Sequence, residues 1–276
     1  MTKRRAITVP PKEVLTAFGT CSSPERLPGG QGQAFRAGDL ILKPAKDDEQ
    51  TNWLAGLLEI LRCEGFRLPK PVCSRDGQYV VDGWQAWERI EGEHRSADWE
   101  DVVQLCIDFH EQIADVVRPA WLDRVPLDNQ WTIADKVTWN ELKAEHHPTC
   151  APLIARLRRC LKWIDPQSQL IHGDFGGNVL YADGLPPAVI DFSPYWRPAG
   201  FAVGVVVADA IVWEGADISL IEVASMQVDN FDQLLARAEL RRIVEIDVAH
   251  RLWSWDVLGE LDAHLPLVRA IADRCS

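Results

Sequence analysis

The stretch QLIHGDFGGNVLYADGLPPAVIDFSPYW, residues 169–196, decides how the rest of the chain is read. Two short apolar runs each end at an acid: Leu170-Ile171 leads into His172-Gly173-Asp174, and Ala188-Val189-Ile190 leads into Asp191. An amide, Asn178, follows the first acid by four residues. Short apolar runs bounded by Gly, Asp and Pro read as strands, so both acids and the amide are expected on loops at strand ends. Oxygen donors placed this way suit a hard cation such as magnesium. That ion takes one or two protein carboxylates and fills its shell with water and phosphate. Asn178 and Asp191 are its candidate ligands, leaving Asp174 to orient or deprotonate an attacking hydroxyl.

Working outward, Val179-Leu180-Tyr181 and Ala188-Val189-Ile190 are expected to pair as a hairpin around Asp183-Gly184. Far upstream, LPGGQGQAFRAGDLILKPA (27–45) carries Gly29, Gly30 and Gly32, a turn at Ala37-Gly38-Asp39, and a strand Leu40-Ile41-Leu42 that ends at Lys43. It reads as a glycine-rich loop leading into a β-hairpin. Glycines let backbone N–H groups approach a phosphate, and a strand-borne ammonium neutralises it. Alone, the glycines read equally as an ordinary hairpin turn, and Lys43 as a solvated strand end.

Residues 10–18 predict a short helix with proline in its first turn, and the leucine spacing predicts a helix over about 48–63. Val72-Cys73 and Tyr79-Val80-Val81 read as a second hairpin, followed by a strand at Trp84–Trp87. Beyond Gly92 the period changes. Val102, Leu105, Cys106, Phe109, Ile113 and Val116 form a helical stripe capped by Ser96 or Asp98. Further helices are expected within 132–146 and over 153–164, and helices dominate after the opening stretch. The first third is thus strand-rich and the remainder helix-rich. This predicts an α+β chain of two lobes with a boundary near 88–92: a β-rich lobe of residues 1–89 and a helical lobe of 90–276.

His172-Gly173-Asp174, Asn178-Val179-Leu180 and Ile190-Asp191-Phe192, in the order glycine loop, strand lysine, helix, strands, helices and HGD loop, resemble the aminoglycoside phosphotransferase and choline kinase group. That group has the protein-kinase-like fold, and the similarity spans roughly residues 25–215. The resemblance implies an ATP- and magnesium-dependent transfer of the γ-phosphate to a hydroxyl of a small molecule. Asp174 would be the catalytic base, and Asn178 and Asp191 the metal ligands. Lys43 and the loop of Gly29, Gly30 and Gly32 would hold the phosphates, and Glu88, Arg89 and Ile90 would lie beside the adenine. The chain departs from the pattern in three ways. Asp and Asn are four residues apart where the group has five, with Gly176-Gly177 between them. The glycine after Phe192 is replaced by Ser193-Pro194. The helical glutamate that pairs with the strand lysine has no obvious counterpart, Glu49 being preferred over Glu59. The short interval either still brings both groups to a metal, glycine widening the backbone's choices, or marks altered catalysis. The alternative reading is therefore a kinase-like pseudoenzyme that binds nucleotide or regulates a partner.

The totals bound the rest. The 276 residues are 47% hydrophobic, enough for one large or two small cores. The net charge of −12 disfavours nucleic acid as a partner. The seven cysteines form no CxxC pair and read as reduced thiols. Lys3-Arg4-Arg5 is followed by no apolar segment, and the longest apolar run, 200–213, contains Asp209. The expectation is a soluble, cytoplasmic protein with no membrane partner. Asp209, in an apolar helix, needs a partner and is expected to brace the catalytic loop through backbone N–H groups or His172. His172 reads as structural, and His146-His147 as a solvated helix end. Asp191 alternatively caps a helix near Ser193. Arg197 points to an anionic acceptor and Glu214 and Asp217 to a cationic one. The twelve tryptophans read mainly as packing, with Trp84, Trp87 and Trp196 the candidates for stacking on a ring.

Overall fold

A computed structural model describes residues 9–28, 32–94 and 98–275. Gly29, Gly30, Lys3-Arg4-Arg5 and the candidate cap Ser96 lie outside the described residues. The chain begins with α1 (Lys12–Ala17), β1 (Glu25–Arg26), β2 (Phe35–Ala37), β3 (Leu40–Pro44), α2 (Asp48–Ile60), β4 (Pro71–Val72) and β5 (Trp84–Glu88). It continues with α3 (Trp99–Gln112), α4 (Gln130–Thr138), α5 (Ala151–Cys160), β6 (Gln169–His172), β7 (Val179–Leu180), β8 (Ala188–Val189) and β9 (Pro194–Arg197). It ends with α6 (Ala199–Trp213), α7 (Leu220–Ser225), α8 (Phe231–Trp253) and α9 (Leu261–Arg274).

Two compact units result. A sheet unit holds Thr2–Arg95 with Val179–Ile190, and a helical unit holds Ser96–Asn178 with Asp191–Ser276. The division is therefore not the contiguous one at 89/90. Residues 90–95 and the hairpin β7–β8 belong to the sheet unit for a backbone reason. The Arg67 N–H donates to the Pro187 carbonyl (2.8 Å), and the Val189 N–H to the Arg67 carbonyl (2.9 Å). Glu93 and Tyr181 exchange a further pair of bonds. A Cβ on Gly92, at φ +144°, would lie 2.9 Å from Leu180, so a side chain is excluded where this segment crosses β7.

The sheet unit is built on five antiparallel strands in the order β1-β2-β3-β5-β4. Gly38 takes the positive φ that a two-residue hairpin demands, and Ala37 faces Leu40 across it. Val14, Leu15 and Phe18 of the first helical segment pack with Phe35, Ala37, Leu42, Trp84 and Ala86 to form the core. One expected hairpin is absent. Val72 pairs with Ala86 of β5, and Val81 makes only a tight turn to Trp84 through Asp82 and Gly83, both at positive φ. The helix α2 is capped by Asp47, whose carboxylate accepts the Gln50 N–H (2.8 Å).

In the helical unit, Asp98 caps α3 and Asn129 caps α4. The centre is α8, buried along almost its whole length and touching α4, α5, α6 and α9. A helix enclosed on all sides is ordinarily apolar. This one carries Arg237, Glu239, Arg241, Arg242, Glu245 and Asp247, all buried. Buried charge persists only where it is paired, so α8 joins its surroundings by ion pairs as well as by packing. Gly204 of α6 allows its close approach, since a Cβ there would lie 3.1 Å from the Leu234 carbonyl oxygen.

Candidate active site

The strands β6 and β9 form an antiparallel ribbon in which His172 faces Pro194. The Gly173 N–H extends the ladder to the Ser193 carbonyl (2.9 Å). Asp174 follows His172 by two residues and Asp191 precedes Pro194 by three, so both acids leave the same end of this ribbon. Residues 194–197 are strand, so Asp191 caps no helix; the ladder with β6 outcompetes the local helix signal. Asp191 has φ +53°, a left-handed conformation that Asp tolerates better than most residues. Gly173 lies under the ring of Tyr195, and a Cβ there would come within 2.3 Å of a ring carbon.

The short Asp–Asn interval closes as a 3-10 turn over Gly176–Asn178. The Asn178 N–H donates to the Phe175 carbonyl (3.0 Å), and its side-chain amide donates to the Asp174 carbonyl and lies 3.4 Å from Asp174 Oδ2. The structure thus brings Asp174 and Asn178 into contact. Gly176 and Gly177 are not at positive φ, and a Cβ on either would meet only ordinary contacts or open space. The turn does not draw on glycine's backbone freedom.

Rings of Phe109, His110, His172, Phe175 and Phe192 pack beneath the loop at centroid distances of 5.1–6.3 Å. His110, buried on α3, donates from Nδ1 to the Cys106 carbonyl (2.6 Å), and its Nε2 accepts the His172 N–H (3.0 Å). Burial, only partly offset by that carbonyl, lowers its pKa to about 3. His172 Nδ1 in turn accepts the Asp174 N–H (3.2 Å). His172 thus holds the loop that carries Asp174.

The largest addition to the sequence reading comes from α8. Arg242 reaches Asp174 Oδ1 (3.1 Å), Asp209 Oδ1 (2.8 Å) and Glu245 Oε2 (3.0 Å), and also bonds Asp209 Oδ2. Arg241 donates to the Gly173 carbonyl (2.8 Å), pairs with Glu245 (2.8 Å), and stacks over Tyr195 (4.8 Å). Asp209 therefore braces the loop through Arg242 rather than through backbone N–H groups or His172. A guanidinium can satisfy several carboxylates at once, which a backbone donor cannot. The Asp174 side chain is 52% exposed while that of Arg242 is 7% exposed, so the acid is accessible and its partner is not. Desolvation opposes ionisation of Asp174, but Arg242, His172 and Arg241 outweigh it and hold the carboxyl below the usual carboxylate range. Burial likewise works against the charge of Arg242. Asp209, Glu245 and Asp174 more than offset it, so the guanidinium stays protonated.

In the sheet unit, Lys43 lies on β3 opposite Gln85, half-buried, and Glu49 is in the first turn of α2. Gly32, at φ +62°, offers its carbonyl to Arg26 Nε (2.7 Å), a prop for the glycine loop that the sequence reading leaves out. Glu88 ends β5 opposite Leu40, and the N–H groups of Glu88 and Arg89 are taken by the Lys70 and Asp39 carbonyls (2.8 Å each). Ile90 follows, half-buried.

Two peripheral expectations change, those for Arg197 and for His146-His147. Arg197 is held by Asp135 and Glu141 (2.5 Å each) and stacks on Trp139 (5.1 Å), so its charge is neutralised within the helical unit. Asp217 accepts the Ser219 N–H (2.8 Å) and stays exposed. His146 and His147 end no helix; the fully buried Asp247 accepts from His146 Nδ1 (3.0 Å) and the His147 N–H (2.7 Å), because its carboxylate needs partners. Trp84 packs on Phe35, Trp87 donates to Gln85, and Trp196 lies under Arg118 (5.9 Å).

The geometry of loop, ribbon and five-stranded sheet defines an α+β protein of the protein-kinase-like class. The model of the Phosphotransferase enzyme family (APH) matches residues 25–195, well over half of the chain, and the chain belongs to that family. By class it is a small-molecule phosphotransferase. Its fold is similar to that of spectinomycin phosphotransferase APH(9)-Ia bound to AMP (TM-score 0.62, 16% identity, 95% of this chain and 96% of that one). It is also similar to aminoglycoside 2'-phosphotransferase-IIIa bound to GDP (TM-score 0.57, 15% identity, 95% and 96%). A third similar structure is an amicoumacin kinase with AMP-PNP and Ca2+ (TM-score 0.58, 12% identity, 91% and 88%). Among curated proteins none matches the sequence. Among the described residues no helix is long and apolar enough to cross a membrane.

Proposed function

We propose that the protein transfers the γ-phosphate of ATP, with magnesium, to a hydroxyl of a small molecule. The observation that carries this reading is Asp174: ionised, half-exposed, held by Arg242 and Asn178, and leaving the same ribbon end as Asp191. Its low basicity suits a carboxylate that orients the acceptor hydroxyl and receives the proton late, as a loose transition state requires. Lys43 with Gly29, Gly30 and Gly32 would hold the phosphates, and Glu88, Arg89 and Ile90 would flank the base.

Asn178 and Asp191 fit a magnesium ion. Their oxygens are hard donors, and the Asn178 amide nitrogen is engaged by Asp174, leaving Oδ1 as its acceptor. Among the described residues no group of three or more His, Cys, Asp or Glu could hold a metal, so phosphate and water would complete the shell. When bound, the ion would supply charge neutralisation on the phosphate oxygens.

The reading is tested by calorimetric titration of ATP with and without magnesium, followed by an acceptor screen for ADP release. Asp191→Ala is expected to lose magnesium-dependent binding. Asp174→Asn is expected to keep nucleotide affinity within about threefold and to lose at least 100-fold in turnover, the scale of a general base. Full turnover in Asp174→Asn would refute the assignment. Nucleotide binding without phosphoryl transfer to any acceptor would favour a regulatory, pseudoenzyme role.

A further inference from the structure

The tandem Arg241-Arg242 lies in the middle of α8, remote in sequence from every motif of the site. A buried arginine costs desolvation unless its donors are used. Here each arginine commits one donor nitrogen to the loop that presents Asp174 and others to carboxylates that hold it in place. Arg241 holds the backbone at Gly173 and Arg242 holds the side chain one residue later. Behind them stand Asp209 from α6 and Glu245 from α8, which fix the guanidinium groups in turn. Asn178 approaches the other oxygen of the Asp174 carboxylate. Both oxygens are thus referenced to fixed groups on two sides while the carboxylate stays open to solvent.

We infer that Arg241 and Arg242 are positioning residues for phosphoryl transfer: Arg241 sets the loop's backbone, and Arg242 sets the rotamer of Asp174. This rests on the phosphotransferase reading for its consequence in catalysis, but not for its geometry. A carboxylate left to rotate would present its oxygen to an acceptor hydroxyl only part of the time. Rate lost by disorder of that kind falls on kcat, since the nucleotide is held elsewhere.

The test compares the wild type with Arg242→Lys, Arg242→Met and, as a control, Arg237→Met. Arg237 lies on the same helix but bonds Gln233 and the Lys162 carbonyl instead of the loop. Steady-state kinetics, with magnesium-ATP titration as a check on folding, are the readouts. For Arg242→Met the expectation is a kcat at least 30-fold lower with a nucleotide KM within twofold. Arg242→Lys, which keeps charge but not the fork, should recover part of the kcat. Arg237→Met should lose stability without that fall in kcat. A folded Arg242→Met with wild-type kcat overturns the inference. If that variant does not fold, Arg242→Lys decides by the same criteria. If the wild type shows no turnover at all, the phosphotransferase reading has failed separately. Crystal structures of the wild type and the folded Arg242 variant then decide: an Asp174 side chain displaced from its rotamer in the variant supports the arrangement, and an unchanged one overturns it.

Discussion

At the residue scale, two glycines of the loop do different work. Gly173 is sterically fixed because a methyl group there would lie 2.3 and 2.6 Å from carbons of Tyr195, a rigid ring that Arg241 covers. Gly173→Ala is expected to cost about 1–3 kcal/mol by overpacking, measured by urea unfolding, and to lower turnover by displacing Asp174. Gly177 has nothing within 4 Å of its missing Cβ and no positive φ. Gly177→Ala is expected to be neutral or to stabilise by up to about 1 kcal/mol through the unfolded state. A sequence containing HGDFGGN cannot distinguish these glycines, since what separates them is a tyrosine that arrives from the next strand. The acids and the amide were legible because their spacing and their apolar run-ins are local. Arg241, Arg242 and His110 were not, because their partners lie 62 to 68 residues away.

At the element scale, α3 meets the strand leading into the loop with the ring of Phe109 and with a hydrogen bond at a neutral histidine, His110. His110 has a folded pKa of about 3 against an ordinary value of 6.5. In that window the unfolded chain binds the extra proton, so stability rises with pH and is lost as pH falls from about 6.5 toward about 3. The slope is about 1.4 kcal/mol per pH unit for one such group. Urea unfolding at pH 6 and pH 5 is expected to show the wild type losing about that much more than His110→Gln. Equal losses would mean that His110 accepts a proton in the folded state. The helices α2, α3 and α6 were read correctly from periodicity and caps. The strands were harder. Two-residue and four-residue strands such as β4 and β9 carry too little pattern to name a partner. The pairings β4–β5 and β6–β9 are decided by long-range ladders.

At the scale of the whole molecule, the chain alternates between its units. It leaves the helical unit after Asn178, completes the hairpin in the sheet unit, and returns at Asp191. Both candidate metal ligands therefore sit at the covalent junctions of the two units. No composition shift marks these crossings, which is why a contiguous boundary was expected. Nucleotide binding that engages those residues is expected to protect the folded chain as a linked equilibrium, by about 2.7 kcal/mol at a ligand concentration 100 times Kd. Thermal unfolding with magnesium-ATP should show that gain in the wild type and not in Asp191→Ala.

The carbonyl of Cys106 and the ring of His110, then the backbone N–H and the ring of His172, and last the backbone N–H of Asp174 tie α3 to the loop that carries Asp174. Both rings are buried, so their nitrogen-bound protons exchange slowly and their tautomers are fixed. The molecule thereby contains its own spectroscopic gauge. Imidazole proton resonances of these two histidines are expected to register a shift of the Asp174 backbone. They do so with no coupled assay, and before any acceptor has been identified.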